Sequence, residues 1–184
     1  MLGHEVLISP AFCYRIHPAS VADIRALAVD GLILEAPGLT AEPGERVAVA
    51  AAACTLGSAL QERIAQLFAT RRRSLALALE SVANQRLFRL ADRAAAAIRR
   101  EARRIGLQVG IEMSPGDAGL ALEQQSVVLT LAGARAHGIA VAAAGMLTPV
   151  HSLSLLVALG PNLRRRSAAS RCDACASRDR CAMN

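Results

Sequence analysis

An uninterrupted stretch of 32 residues without glycine or proline, from Ser74 to about Ile105, limits the folds open to this chain more than any other feature. Apolar side chains recur at helical spacing along it, at Leu75, Leu79, Val82, Leu90, Ala94 and Ile98. Arginines and glutamates occupy much of the opposite side. At about 1.5 Å per residue, such a helix crosses a whole domain. The sequence therefore predicts one long amphipathic helix.

The core that this helix must cover is built from small and aliphatic side chains. Hydrophobic residues make up 53% of the 184 residues, but aromatic residues make up only 2%, and there is no tryptophan. A single domain of this length can bury a substantial core. Because alanine, leucine, valine and isoleucine must fill it, we expect elements that pack closely, with helices prominent.

The remaining segments alternate between helical and extended patterns. Further helices are predicted over 17–31, 58–70 and 120–138. Strands are predicted from Leu32, before a loop that extends to Glu45, and over 46–57, 107–113, 139–146 and 152–160. This order lacks the regular alternation of a doubly wound fold. It predicts an α+β fold, in which helices including the long one pack on a largely antiparallel, twisted sheet.

Two of the helix predictions rest on capping signals. Ser20 and Asp23 have the spacing of a helix start, and Ser58 with Gln61 has the spacing of a capping box. The apolar faces behind these signals are Val21, Ile24, Leu27 and Ala28 in the first helix, and Leu60, Ile64, Leu67 and Phe68 in the second.

The segment 138–160 carries no formal charge and precedes three arginines, which resembles a membrane-spanning helix. Gly145, Pro149 and His151 interrupt it, however, and divide it into two short apolar runs. Two buried strands around a turn fit this pattern better. No signal peptide is visible at the start of the chain, so the cytoplasm is the expected location.

The formal net charge of +6 raises the possibility of nucleic-acid binding. The arginine clusters lie where elements are expected to begin or end, and aromatic side chains on which bases could stack are scarce. We therefore interpret the arginines as solvated flanks and expect neither a nucleic-acid nor a membrane partner.

Three cysteines near the end of the chain, Cys172, Cys175 and Cys181, follow the spacing C-x2-C-x5-C. Two thiolates in one tight turn can converge on a metal ion, and neighbouring arginines favour thiolate over thiol. In the cytoplasm such a group more often binds metal than forms structural disulfides. The spacing favours an iron–sulfur cluster, with structural zinc, a disulfide or unliganded thiols as alternatives.

A closed metal site usually has a fourth ligand. The candidates are Cys54, Cys13, His151, His137 or an exchangeable small molecule. Cys54 is the candidate that we assign, although a small, nearly apolar residue after a run of alanines is usually a core residue. A histidine between two strands is more often a structural residue than a ligand.

The turn Ser114–Asp117 follows a predicted strand and could present backbone amides to a ligand, but a turn of this type is common. Several segments considered together are more informative. They are the turn at Ser114–Gly116, a Leu-x-x-Gln pattern at Leu122–Gln125, Ile139, Pro149, Ser152 and Gly160. Their order and spacing resemble the activation domain of cobalamin-dependent methionine synthase, particularly its short stand-alone relatives that end in clustered cysteines.

The resemblance extends upstream through ACTLGSALQERIAQLF and LESVANQRLFRLAD, so that it covers about residues 47–184. It implies a ligand-binding turn at Glu112, Ser114, Pro115, Gly116 and Asp117. In the full-length enzymes, an arginine and a tyrosine at the positions of Glu112 and Asp117 help to hold S-adenosylmethionine. A carboxylate in place of a guanidinium repels another carboxylate, which argues against S-adenosylmethionine binding in the family manner.

The resemblance further implies an accessory protein for reductive reactivation of a corrinoid- or cobalamin-dependent methyltransferase, with the cobalamin on the partner. Cys172, Cys175 and Cys181 would hold the iron–sulfur cluster that delivers an electron. The alternative is a non-catalytic docking module whose tail is folded by zinc. We expect an activation-domain-like α+β domain over 1–163 and a basic linker with the cysteine cluster over 164–184.

Overall fold

The computed structural model describes residues 7–163. The strands are β1 (Ala11–Val21), β2 (Ala26–Val29), β3 (Leu32–Glu35), β4 (Ala48–Thr55), β5 (Gln108–Met113), β6 (Ala140–Val141), β7 (Leu147–Thr148) and β8 (Ser152–Gly160). The helices are α1 (Pro37–Thr40), α2 (Ala59–Ala69), α3 (Arg73–Arg104) and α4 (Gln125–Ala132). Three single 3-10 turns lie at Leu122–Gln124, Ala134–His137 and Ala143–Gly145.

Six strands form one sheet in the order β3-β2-β1-β4-β8-β5, and each neighbouring pair is antiparallel. The short strands β6 and β7 pair only with each other. The fold class predicted from the sequence, helices including one long helix on an antiparallel sheet, is confirmed.

The central strand β4 explains the run of alanines in the sequence. Each of its residues is buried, because helices α2 and α3 cover one face of the sheet, and α1, α4 and the β2–β3 hairpin contribute to the core on the other. We call these the helix face and the opposite face. Ala50, Ala52 and Cys54 point to the helix face, whereas Val49, Ala51 and Ala53 point to the opposite face. Small side chains let both layers approach the strand closely.

Helix α3 begins and ends within one residue of its predicted limits. Its predicted apolar face is correct in the second half, where Leu90, Ala94 and Ile98 are buried. In the first half Leu75 and Val82 are about half exposed, and Ala76 and Ala83 are buried instead. Adjacent helical residues point about 100° apart, so the side of the helix that faces the sheet carries Ala76 and Ala83, each one position after a bulky residue. The smaller side chains allow the helix to pack closely on the sheet.

The predicted helix over 17–31 is wrong. Residues up to Val21 continue β1, and the rest forms a turn and β2. Asp23 does not cap a helix: its Oδ1 accepts a hydrogen bond of 2.6 Å from the backbone N–H of Arg25 within the turn. Leu27 and Val29 are both buried, which is the two-residue period of a strand.

Three other sequence predictions also need correction. Ser58 makes no capping hydrogen bond, and Gln61 Oε1 accepts one of 2.9 Å from the backbone N–H of Val150. Helix α4 ends at Ala132, because Gly133 adopts a left-handed conformation with a φ of 68°. Within 139–146 there is one two-residue strand, β6, whose residues are exposed. The strands predicted over 46–57, 107–113 and 152–160 are confirmed.

Within residues 7–163, no helix is both long and apolar enough to cross a membrane. The predicted linker and cysteine tail over 164–184 lie outside the described residues.

Candidate functional site

The turn predicted to bind a ligand follows directly after edge strand β5. Two hydrogen bonds between its own residues close the turn. Asp117 Oδ2 accepts one of 2.7 Å from the backbone N–H of Ser114, and the N–H of Asp117 donates one of 2.9 Å to the Ser114 carbonyl. Gly116, with a φ of 100°, donates to the carbonyl of Leu120 at 2.8 Å. The carboxylate of Asp117 is thus already used to stabilise its own turn.

Glycine contacts fix this turn against helix α1. The backbone N–H of Gly38 donates to the carbonyl of Gly119 at 2.9 Å. A Cβ on Gly119 would lie 2.7 Å from the Cα of Gly38. The two backbones therefore meet in direct contact, which requires glycine at position 119.

A carboxylate also fixes the strand that leads into the turn. The register of β5 shifts between Val109 and Glu112, and the N–H of Ile111 in this bulge donates to Glu42 Oε1 at 2.9 Å. Gly110 leaves room for the carboxylate, since a Cβ there would lie 2.5 Å from Glu42 Oε2. Arg46 donates in turn to the backbone carbonyl of Glu42. This arrangement sets the position of Glu112, which is half-buried next to the bulge.

A cleft of about 240 Å³ opens beside the turn. Charged side chains on its walls are Arg25 and Glu35, at the two ends of the β2–β3 hairpin, and Asp117 in the turn. Of the five predicted ligand residues, Asp117 lines this cleft. Arg25 and Glu35 were not identified from the sequence, and no motif marks them. The cleft presents one cation and two carboxylates, a pattern suited to a ligand that carries both charges.

Other residues of the family pattern hold the layers together. Gln125 and Ser154 are both buried, and Gln125 Nε2 donates to Ser154 Oγ at 2.6 Å, which joins α4 to β8. Two residues earlier in β8, Ser152 Oγ donates to Thr55 Oγ1 of β4 at 2.9 Å. These polar side chains specify how helix and strands fit together.

The two histidines considered as metal ligands differ in environment. His151 is 3% exposed, and its Nε2 lies 3.1 Å from Glu80 Oε1 on α3. Its Nδ1 is buried and has no hydrogen-bond partner among the described residues. His137 is exposed at the end of a 3-10 turn.

Two cysteines lie within the described residues, on opposite faces of the sheet. Cys54 is fully buried on the helix face, as expected for a core residue. Cys13 is half-buried on the opposite face, and burial raises the pKa of its thiol. Among residues 7–163 no group of three or more histidine, cysteine or acidic side chains could hold a metal ion. Cys172, Cys175 and Cys181 lie outside the described residues, so the metal assignment, including Cys54, stays a prediction.

Comparison with known proteins supports the fold. No protein-family model matches the chain, and no curated protein matches it. Among solved structures, the chain is similar to the crystal structure of the MetH reactivation domain bound to AdoHcy, with a TM-score of 0.68 and 16% sequence identity. The match covers 91% of this chain but 64% of the solved chain, so this chain spans less than two thirds of that domain's length. The methionine synthase activation domain-like fold indicated by the sequence is confirmed.

Proposed function

We propose that this protein is an accessory protein for the reductive reactivation of a corrinoid- or cobalamin-dependent methyltransferase. The observation that carries the proposal is the fold, which matches a domain named for reactivation over 91% of the chain. The order of the sequence motifs supports the same role. The partner would be the corrinoid protein or the methyltransferase that carries the cobalamin.

The proposed means of electron delivery is an iron–sulfur cluster at Cys172, Cys175 and Cys181. The donor set fits, because three thiolates at close spacing are the ligands that such clusters and zinc use. A cluster would supply one-electron transfer. The tail also contains Arg171, Arg178 and Arg180. Their positive charges would partly balance the negative charge of the thiolates and would favour the thiolate form of the cysteines before a metal binds.

The position of Cys54 restricts its proposed role as fourth ligand. Cys54 on β4 pairs with Leu153 near the start of β8. The tail follows the other end of β8, at Gly160, which lies about 23 Å along the strand from Leu153. The nine residues from Leu163 to Cys172 span at most about 30 Å when extended. A cluster near Cys54 would require the tail to use most of this reach to return along the sheet, and Cys54 is fully buried on the helix face.

Removing two tail cysteines is expected to abolish metal binding. We would purify the full chain without oxygen, reconstitute it with iron and sulfide, and compare it with the Cys172→Ser, Cys175→Ser double variant. The expected result is bound iron with a broad visible absorption band in the parent protein and loss of both in the variant. Cys54→Ala is the matched control for the fourth ligand. An absence of iron in the reconstituted parent protein contradicts the electron-delivery proposal.

The alternative is a docking module with a structural zinc tail. The observation that favours it is the self-closed turn, in which the Asp117 carboxylate accepts a hydrogen bond from the backbone N–H of Ser114. Stoichiometric zinc without a chromophore in the same measurement would favour this alternative.

S-adenosylmethionine is expected not to bind in the family manner. Glu112 and Asp117 place two carboxylates where the family has a guanidinium and a phenol, and the carboxylate of the ligand would be repelled. Isothermal titration of the full chain with S-adenosylmethionine should show no saturable heat. Saturable binding that Arg25→Ala abolishes would contradict this prediction, because it would show that Arg25 replaces the missing cation in the cleft.

A further inference from the structure

A second concave surface, a groove, lies at the other end of strand β5 from the Ser114–Asp117 turn. It has a volume of about 720 Å³, is open to solvent, and lies between strand β1 and the end of helix α3. Apolar side chains dominate its lining, including Tyr14, Ile16, Val47, Ile105 and Leu107. Ile105 is 51% exposed. An exposed apolar groove on a folded domain is typical of an interaction site.

The apolar surface continues beyond the groove across the outer strands. Helix α3 packs on β1, β4, β8 and β5. Ser20 of β1 pairs with Ala28, and Ala28 pairs with Ile33, so these residues continue the helix face of the sheet past α3. Ile33 is 58% exposed. The helix face thus ends in an uncovered apolar strip on the β2–β3 hairpin.

Exposed arginines are sequence neighbours of the groove-lining residues of α3. Glu101 and Ile105 line the groove one turn apart, and the exposed Arg100 and Arg104 directly precede them in the helix. Glu101 Oε2 lies 3.4 Å from Arg104 Nη1. Because both side chains of this pair are largely solvent-exposed, the pair contributes little and can exchange partners.

Positive charge is concentrated on the long helix α3 and the residues just before it. Residues 71–104 contain ten arginines and three carboxylates, a net charge of +7. The other described residues contain five arginines and nine carboxylates, a net charge of −4. The long helix is therefore a cationic surface next to an apolar groove, whereas the cleft beside the turn belongs to the acidic part.

Charge also decides between the possible occupants of the groove. A second copy of this chain, related by two-fold symmetry, would bring the same +7 surface to the interface. Residues 164–184 carry six arginines and two aspartates, so this segment is cationic as well. Both would be repelled. A nucleic acid would be attracted, but the groove lining offers one aromatic side chain, Tyr14, on which a base could stack.

We propose that the groove between β1 and the end of α3 is a docking site for an acidic protein segment with apolar side chains on one face. The apolar side chains would fill the groove over Ile16 and Ile105, and the carboxylates would meet Arg100 and Arg104. Mixed surfaces of this kind, with arginine around an apolar centre, are typical of protein interfaces. About 20 Å of strand β5 separates Leu107 in the groove from the Ser114–Asp117 turn.

The test measures binding of a fluorescein-labelled helical peptide with leucines on one face and glutamates on the other. Fluorescence anisotropy is recorded with the full chain at low salt. The double variant Arg100→Glu, Arg104→Glu is expected to weaken binding by at least about tenfold, and Ile105→Ser by a similar factor. The charge-matched control Arg86→Glu, Arg89→Glu, on exposed residues earlier in the same helix, is expected to change affinity by less than about threefold.

Three results would overturn the proposal. Equal losses in the two charge-reversed pairs would mean that the helix attracts anions without a defined site. Failure of the peptide to bind at low salt would remove the docking site altogether. Tight binding of a single-stranded oligonucleotide, unaffected by Ile105→Ser, would assign the cationic surface to nucleic acid. None of these measurements depends on metal content, so they fail or succeed separately from the proposed electron delivery.

Discussion

Replacing Gly160 by alanine is expected to destabilise the protein by about 3–5 kcal/mol. Gly160 ends strand β8, and the chain segment before β4 crosses directly over it. A Cβ on Gly160 would overlap the carbonyl oxygen of Glu45 and would lie 2.9 Å from the carbonyl carbon and 3.1 Å from Leu163 Cγ. The obstacle is backbone, which cannot rotate away as a flexible side chain can. The crossing segment is also held in place, because the N–H of Val47 donates to the carbonyl of Leu159 at 3.0 Å.

The measurement is thermal or urea unfolding of the full chain. For a domain of this size the loss corresponds to a decrease in Tm of roughly 10 °C. Gly106→Ala is the matched control, since nothing lies within 4 Å of a Cβ at that position, and its φ of 74° costs only about 1–2 kcal/mol of backbone strain. Equal decreases in Tm for the two variants would contradict the steric explanation.

Gly119→Ala is expected to cost about 3–4 kcal/mol through two separate effects. The φ of 91° at Gly119 strains any residue with a side chain, and the new Cβ would meet the backbone of Gly38 at 2.7–2.8 Å. Since this contact fixes the turn against α1, the variant should also displace Asp117 from the cleft. Urea unfolding would show a lower midpoint, and amide exchange at residues 114–120 should become faster than in the rest of the sheet.

The control for the Gly119→Ala prediction is Gly38→Ala, which changes the other residue of the contact between the turn and α1. A Cβ on Gly38 would meet the end of the Met113 side chain at 2.5 Å, while the carbonyl of Gly119 lies 3.2 Å away. Methionine is flexible and can move, so Gly38→Ala should cost only about 1–2 kcal/mol. A larger loss for Gly38→Ala than for Gly119→Ala would mean that side-chain packing, not backbone contact, controls the position of the turn.

The elements predicted correctly are those with a strong pattern of their own. Helix α3 has a long uninterrupted period, and β4, β5 and β8 are apolar runs bounded by turn residues. The segment 17–31 shows why a weaker pattern fails. Ser20 and Asp23 have the spacing of a helix cap, but an aspartate side chain can equally stabilise a turn, as Asp23 does here. Leu27 and Val29 are buried in the core on the opposite face of the sheet, and this burial favours a strand over a helix.

The candidate site was only partly predictable. The turn at Ser114–Asp117 and the departures at Glu112 and Asp117 were visible in the sequence, and they remain the basis of the ligand prediction. The use of Asp117 to close the turn, the Glu42 carboxylate in the β5 bulge and the presence of Arg25 in the cleft were not visible. The positions of Glu42 and Arg25 depend on contacts between segments distant in sequence, whereas the contact between Asp117 and Ser114 is local to the turn.

By itself, the sequence determined the long helix, the alanine-rich central strand and the α+β class. It also shows three closely spaced cysteines near the end of the chain, whose role as metal ligands stays a prediction. These properties follow from local periodicity and from the chemistry of single residue types. Only the tertiary structure decided which side of the long helix is buried, which residues share the cleft, and that a cationic helix end lies beside an apolar groove. Packing and the pairing of distant strands bring such residues together, and neither is encoded in a short stretch of chain.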